Sequence, residues 1–118
     1  MSEARQQDIV WVRFPYSDLK EHQFRPAVVI SNDGYNQSGL DAMVCAITSK
    51  LDKREYSVLI DQSDIDEGKL PLKSRIRADK VMQVSKSLIA KAFARLNAKT
   101  FDLVVNEISK LVKRGRQS

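Results

Sequence analysis

The sequence predicts a mainly β domain closed by one C-terminal helix. Two observations carry this. Short runs rich in β-branched and aromatic residues recur along most of the chain, each bounded by turn-forming residues. One late stretch instead repeats its apolar residues with helical periodicity. At 118 residues, with 42% hydrophobic and 30% charged residues, the chain has the length and composition of one soluble domain with its own core.

In chain order, residues 8–14 (Asp-Ile-Val-Trp-Val-Arg-Phe) read as a first strand, with Ile9 and Trp11 facing one way and Val10, Val12 and Phe14 the other. Residues 16–24 are polar and aperiodic, as expected of a long hairpin loop. Val28, Val29 and Ile30 form a run too short for a helix and too apolar for a surface, so they read as a central strand buried on both faces. Pro26 cannot donate a ladder hydrogen bond and is expected at that strand's first residue, with Arg25 at its mouth. A turn-rich link over 32–39 leads to a third strand at 42–48, and a fourth follows at 56–60. The acidic stretch 61–68 lacks calcium-loop spacing and reads as a solvated loop or short helix. Residues 74–80 alternate as a strand, and 81–84 read as another. Residues 87–96 are ambiguous, alanine-rich like a helix yet alternating like a strand. Asn97 is an N-cap candidate for a helix carrying Phe101, Val104, Val105, Ile108, Leu111 and Val112 on one face, expected to pack on the sheet. Residues 1–6 and 114–118 read as flexible ends of a single domain spanning 1–118.

Composition excludes several function classes. No apolar run approaches the roughly 18 residues of a membrane span. The polar N-terminus has no signal-peptide core, which points to the cytoplasm. One cysteine, Cys45, cannot form an internal disulfide, and with a single histidine it makes a zinc site implausible. Cys45 reads as a small core residue. The net charge of +5 is unevenly spread: residues 1–68 hold 7 Lys/Arg against 12 Asp/Glu, and residues 69–118 hold 13 against 3. Such a chain can present a basic face to nucleic acid or to an acidic protein segment.

Several side chains suit that partner, each with a structural alternative. Arg25 is either a cation facing a phosphate or a strand-capping surface group. The hydroxyls of Thr48 and Ser49 end a buried strand and can cap the chain or bind an anion. Arg75, Arg77 and Asp79 share one strand face, as a salt-bridge ladder or as a cationic site whose carboxylate accepts a proton. His22 is either an acid–base group or a bystander in the 16–24 loop.

Together these motifs resemble the MazF/PemK family of toxin endoribonucleases from bacterial toxin–antitoxin pairs. Residues 8–12 with Phe14-Pro15 look like its opening strand, and residues 25–31 like its arginine–proline strand. Residues 47–49 look like its hydroxyl motif, and residues 77–80 like its arginine–x–aspartate signature. The match runs from about Asp8 to Val112, with Gln7 standing where the family usually has glycine.

The resemblance implies an SH3-like antiparallel β-barrel with a C-terminal amphipathic helix, working as a homodimer without cofactor or metal. It implies cleavage of single-stranded RNA and inhibition by a cognate antitoxin whose acidic C-terminal segment covers the RNA groove. Carried onto this sequence, the catalytic arginine is Arg25 and the catalytic hydroxyl Thr48, with Ser49 adjacent; in some members Arg77 and Asp79 supply acid and base. The remaining candidates for RNA contact are Tyr16, His22 and Phe24 in or beside the loop that flanks the site, with Arg75 and Lys80 as cations and Tyr35 as a further stacking candidate. Two rivals share the fold: a gyrase poison like CcdB and a barrel that binds nucleic acid without cutting it. The gyrase poisons act through a tryptophan near the C-terminus, whereas Trp11 is the only tryptophan here.

Overall fold

β2 (His22–Val29) is the middle strand of the molecule, and its second half, Ala27–Val29, is buried on both faces. In the computed structural model, which describes residues 4–15 and 22–115, it is flanked by β1 (Asp8–Pro15), β3 (Asp41–Thr48), β4 (Ser57–Ile60), β5 (Ile65–Gly68), β6 (Ser74–Ser85) and β7 (Ile89–Leu96) in one sheet of order β4-β6-β3-β2-β1-β7-β5. Every neighbouring pair is antiparallel. Helix α1 (Asp33–Ser38) links β2 to β3, and α2 (Ala98–Val112) ends the fold. The result is an SH3-like antiparallel half-barrel with a C-terminal helix.

Alternation sorts the core into two layers. Ile9, Val28, Cys45, Ile47, Ile60, Ile76 and Leu96 meet Phe101 and Val104 of α2 on one face. Val10, Val12, Ala27, Val29, Ala42, Val44 and Val84 pack together on the other. Val28 and Val29 are both fully buried, one in each layer, as their sequence run implies. Cys45 is likewise fully buried, and burial, with a smaller contribution from the charge of Asp79, pushes its thiol pKa up to about 12. It is an unreactive core group.

The structure revises several expectations. β2 begins at His22, so the connection expected over 16–24 is shorter, and Pro26 lies inside the strand rather than at its start. Pro26 is tolerated there because β2 pairs with β3 only from Ala27 onward. Residues 4–6, expected to be flexible, are pinned: Ala4 is buried, Gln6 N donates to Asp33 Oδ1 at 2.9 Å, and Gln6 Nε2 donates to the Ile30 carbonyl at 2.9 Å. Of the stretch expected as a loop or short helix, Gln62–Asp64 forms one short helical turn while 65–68 form an edge strand pairing with β7, and 74–85 form one long strand instead of two. β7 resolves the ambiguity of 87–96 in favour of a strand. Asn97 caps α2 as expected, accepting from Thr100 N at 2.7 Å. Only the first half of the predicted helix face is covered, however. Phe101 and Val104 are buried and Ile108 packs partly against the core, but Val105, Leu111 and Val112 are exposed because α2 packs across β4 and β6 and β4 is only four residues long.

Gln7, just before β1, has φ 82°. That left-handed conformation costs a non-glycine residue about 1–2 kcal/mol. It also lets Gln7 join the two halves of the sheet: its N–H donates to the Val29 carbonyl, its carbonyl accepts from Leu96 N, and its side-chain amide donates to the Leu96 carbonyl, all at 2.9 Å. The side-chain bond offsets part of the backbone cost.

Gly68 is the one glycine that the fold requires. Its φ is +80°, and a Cβ there would stand 2.2 Å from the Phe93 carbonyl oxygen on β7. Gly68→Ala should therefore lower stability by about 2 kcal/mol or more in urea denaturation. A loss below about 0.5 kcal/mol, the scale of an ordinary surface change, would show that β5 is not held against β7.

Candidate functional site

The site opens where two ladders are interrupted. β2 and β3 pair only as Ala27↔Ala46, Val28↔Cys45 and Val29↔Val44. Continuing that register would set Arg25 opposite Thr48, but pairing stops at Ala27, so these residues stand on the walls of a gap. The second interruption lies between β3 and β6. β3 advances from Cys45 to Ile47 while its partners on β6 jump from Val81 to Ile76, so 77–80 bulge away from β3. The bulged segment pairs with β4 instead, as Ser57↔Arg77, and Ala78 N donates to the Tyr56 carbonyl at 2.9 Å. Bulges commonly re-aim side chains beside functional sites.

The gap continues into a groove of about 900 Å³. Among the described residues, its charged lining is Arg25, Lys50, Arg54, Arg75, Arg77 and Lys80, against one carboxylate, Asp52. Thr48 and Ser49 stand among these cations, and the stacked rings of Trp11 and Phe93, with centroids 4.8 Å apart, form an aromatic wall. The groove's charge comes from both halves of the sequence. Other basic-half cations serve the fold: Lys86 Nζ donates to the Asn36 carbonyl at 2.6 Å, and Arg95 pairs with the buried Asp8 at 3.2 Å.

Each sequence-derived candidate among the described residues has a definite place. Arg25 is exposed and donates to Gln23 Oε1 at 3.2 Å. Thr48 Oγ1 accepts from Lys50 N at 3.1 Å, which leaves its hydroxyl hydrogen available to a ligand. Arg77 holds Asp79 in a two-pronged ion pair, Nε to Oδ1 and Nη2 to Oδ2, both 3.0 Å. The bonds from Arg77 hold the Asp79 carboxyl below its ordinary value, and Asp79 in turn raises the pKa of Arg77. Asp79 sits behind Arg77 rather than on the groove lining. Arg75 turns its fork to the adjoining segment, with Nη1 donating to Ser57 Oγ at 3.1 Å and Nη2 to the Leu51 carbonyl at 3.3 Å. Phe24, 51% exposed, and Tyr35 of α1, whose hydroxyl accepts from Gln83 on β6, do not line the groove. Tyr16 and the His22 side chain lie outside the described residues.

Sequence reasoning missed Lys50, Asp52, Arg54 and the Trp11–Phe93 wall. The clue for Phe93 was an aromatic set between Lys91 and Arg95. The direction of 49–56 has no local signal, because it depends on the clamp from Arg75. Among the described residues, no three His, Cys, Asp or Glu side chains converge as metal ligands, and no helix is long and apolar enough to cross a membrane.

Comparison with known proteins decides the family. The model for the PemK-like, MazF-like toxin of type II toxin–antitoxin systems matches residues 5–112. The chain belongs to this family. No curated protein sequence matches it. Among solved structures, MazE-MazF from Deinococcus radiodurans is 20% identical with a TM-score of 0.81, covering 97% of this chain and all of that one. An endoribonuclease in complex with its cognate antitoxin from a mycobacterial species is 14% identical with a TM-score of 0.77, covering 96% of this chain and 98% of that one. Mycobacterium tuberculosis toxin MazF-mt6 is also 14% identical, with a TM-score of 0.73, covering 92% and 99%. At these identities the resemblance to solved structures is one of fold. The PemK/MazF-like chain and these proteins share the sheet and helix on which the groove is built.

The Arg77–Asp79 pair has a pH signature. Asp79 is more acidic folded than unfolded, so the pair contributes stability that is complete above the ordinary carboxylate pKa of about 3.9. That contribution is lost as the pH falls through the lower folded value. Urea denaturation of wild type and Asp79→Asn should therefore show a stability gap that is constant near neutrality and closes at strongly acid pH. A gap independent of pH down to acid unfolding would mean that the ion pair is absent in solution.

Proposed function

We propose that this toxin is a metal-independent endoribonuclease that cuts single-stranded RNA, leaving 2′,3′-cyclic phosphate and 5′-hydroxyl ends. The observation that carries the reading is the groove, where, among the described residues, six cations face a single carboxylate beside a free hydroxyl donor and an aromatic wall. A polyanion with unstacked bases suits that surface: cations take phosphates, and flat side chains take base faces. RNA brings its own nucleophile, the 2′-hydroxyl, so the protein's tasks are proton transfer and charge stabilisation.

The 2′-oxygen gives up its proton and bonds to phosphorus, and the bond from phosphorus to the 5′-oxygen breaks as that oxygen takes a proton from solvent water. Arg25 stabilises the added charge on phosphorus, because its planar fork matches two phosphate oxygens and stays ionised. Thr48 donates to and orients the phosphate. Asp79 is a weak base while Arg77 holds both its oxygens. Phosphate entering the groove competes for the Arg77 fork, and Asp79, released from it and turned toward the groove, accepts the 2′-proton. The products, substrate and setting assign the protein to the cytoplasm. We further assign it a homodimeric state and inhibition by an antitoxin whose acidic segment competes with RNA for the same cations.

Purified protein in excess EDTA should cut a long single-stranded RNA into discrete fragments with cyclic-phosphate ends. Arg25→Ala should lower the rate by roughly 10²–10³-fold, the usual cost of one charge-stabilising donor. It should leave the melting temperature near wild type, because Arg25 is exposed. Cutting at the wild-type rate by Arg25→Ala would overturn the assignment of the site.

A further inference from the structure

Asp52 stands out in this groove. A carboxylate among phosphate-binding cations repels the backbone it would meet, and each such charge weakens polyanion binding. Asp52 nevertheless lines the groove, is exposed, and makes no ion pair among the described residues, although Lys50 and Arg54 are two positions away on either side. Its acceptors are open to a ligand that supplies N–H donors.

The segment presenting it is fixed on both sides. Before Asp52, Lys50 N bonds to Thr48 Oγ1 at 3.1 Å, and the Leu51 carbonyl accepts from Arg75 Nη2 at 3.3 Å. After it, the Arg54 carbonyl accepts from Ser57 Oγ at 2.5 Å, and that same hydroxyl accepts from Arg75 Nη1 at 3.1 Å. Arg75, half-buried on β6, thus clamps both flanks of the segment. A clamp spends the fork of an arginine on protein carbonyl and hydroxyl groups rather than on phosphate. The gain is a fixed position for the side chains between the clamped points.

Resting on the endoribonuclease reading, we infer that Asp52 is the base-selecting residue of the groove, and that it takes the Watson–Crick edge of an unpaired guanine. The chemistry discriminates among the four bases. Guanine offers adjacent N1–H and N2–H donors, which match the two oxygens of a carboxylate. Adenine and cytosine each place an acceptor nitrogen beside their amino group, which faces the second carboxylate oxygen with like polarity. Uracil flanks its single N–H with two carbonyls. Arg75 is a positioning residue that acts through the 49–56 segment.

The test is cleavage of a randomised single-stranded RNA pool in EDTA, with the fragment ends sequenced, by wild type, Asp52→Asn, Asp52→Ala and Arg75→Lys. The same proteins are titrated at fixed salt with 2′-O-methyl oligonucleotides carrying each base in turn at the selected position. Wild type should enrich guanine at one position near the cut by roughly tenfold or more, the usual discrimination of a good two-pronged base contact. Both Asp52 variants should lose that enrichment and redistribute cutting over other bases, and Arg75→Lys should broaden the profile in the same way. An unchanged guanine preference in the Asp52 variants would overturn the assignment, as would a wild-type profile with no guanine at any position. Slower cutting by Arg75→Lys with an intact profile would make Arg75 a phosphate contact and overturn the clamp. Wild type that neither cuts nor binds RNA would overturn the proposed function as well, which separates the two failures.

Discussion

The groove depends on where β2 stops pairing with β3. Val28 and Val29 bury both faces of β2 and hold it in the middle of the sheet, while Pro26 lacks the N–H that a longer ladder would use. Pairing therefore ends at Ala27, and the chain on either side of the gap is free to carry polar groups. Arg25 and Thr48, which a continued ladder would have placed directly opposite one another, become its two walls. One imino acid at the end of a doubly buried run thus sets both the rigidity of the site and its opening.

Collecting six cations along one groove opposes folding through mutual repulsion, and the surrounding contacts show how this is managed. Arg77 is neutralised in part by Asp79, and Arg75 is turned onto the backbone and hydroxyl groups of 49–57. Arg25, Lys50 and Lys80 are exposed, where water screens them. An incoming polyanion relieves the remaining repulsion, so the groove is stabilised by what it binds. Among the described residues of the acidic first half, only Asp52 brings a carboxylate to the groove lining; Asp61 and Asp64 are held instead in the capping bonds of the turn before β5.

The strongly apolar features of this fold were legible in the sequence. The double burial of Val28 and Val29, the alternation in β1, the core role of Cys45 and the Asn97 cap all follow from local pattern and elementary packing. β5 was not legible, because Ile65-Asp66-Glu67-Gly68 has little strand character and becomes a strand through pairing with β7 and the close approach at Gly68. The continuity of β6 was hidden by its bulge, which makes the sequence around Lys80 look like a boundary. The exposed end of α2 was hidden because periodicity reports which residues share a helix face, not how far the sheet beneath it extends. At the site, Arg25, Thr48, Ser49, Arg75, Arg77 and Lys80 were found by residue type and motif, and all six line the groove. Lys50, Asp52 and Arg54 could not be found that way, since their place depends on a side chain more than twenty residues downstream.

The most direct test is a structure of the protein with a single-stranded oligoribonucleotide whose 2′-hydroxyls are methylated, so that the nucleophile is blocked and the substrate stays whole. One phosphate is expected between Arg25 and Thr48, with the Arg77 fork turned from Asp79 toward that phosphate and a base against Trp11 or Phe93. An oligonucleotide bound elsewhere, with the gap between β2 and β3 empty and the Arg77–Asp79 pair intact, would contradict that placement.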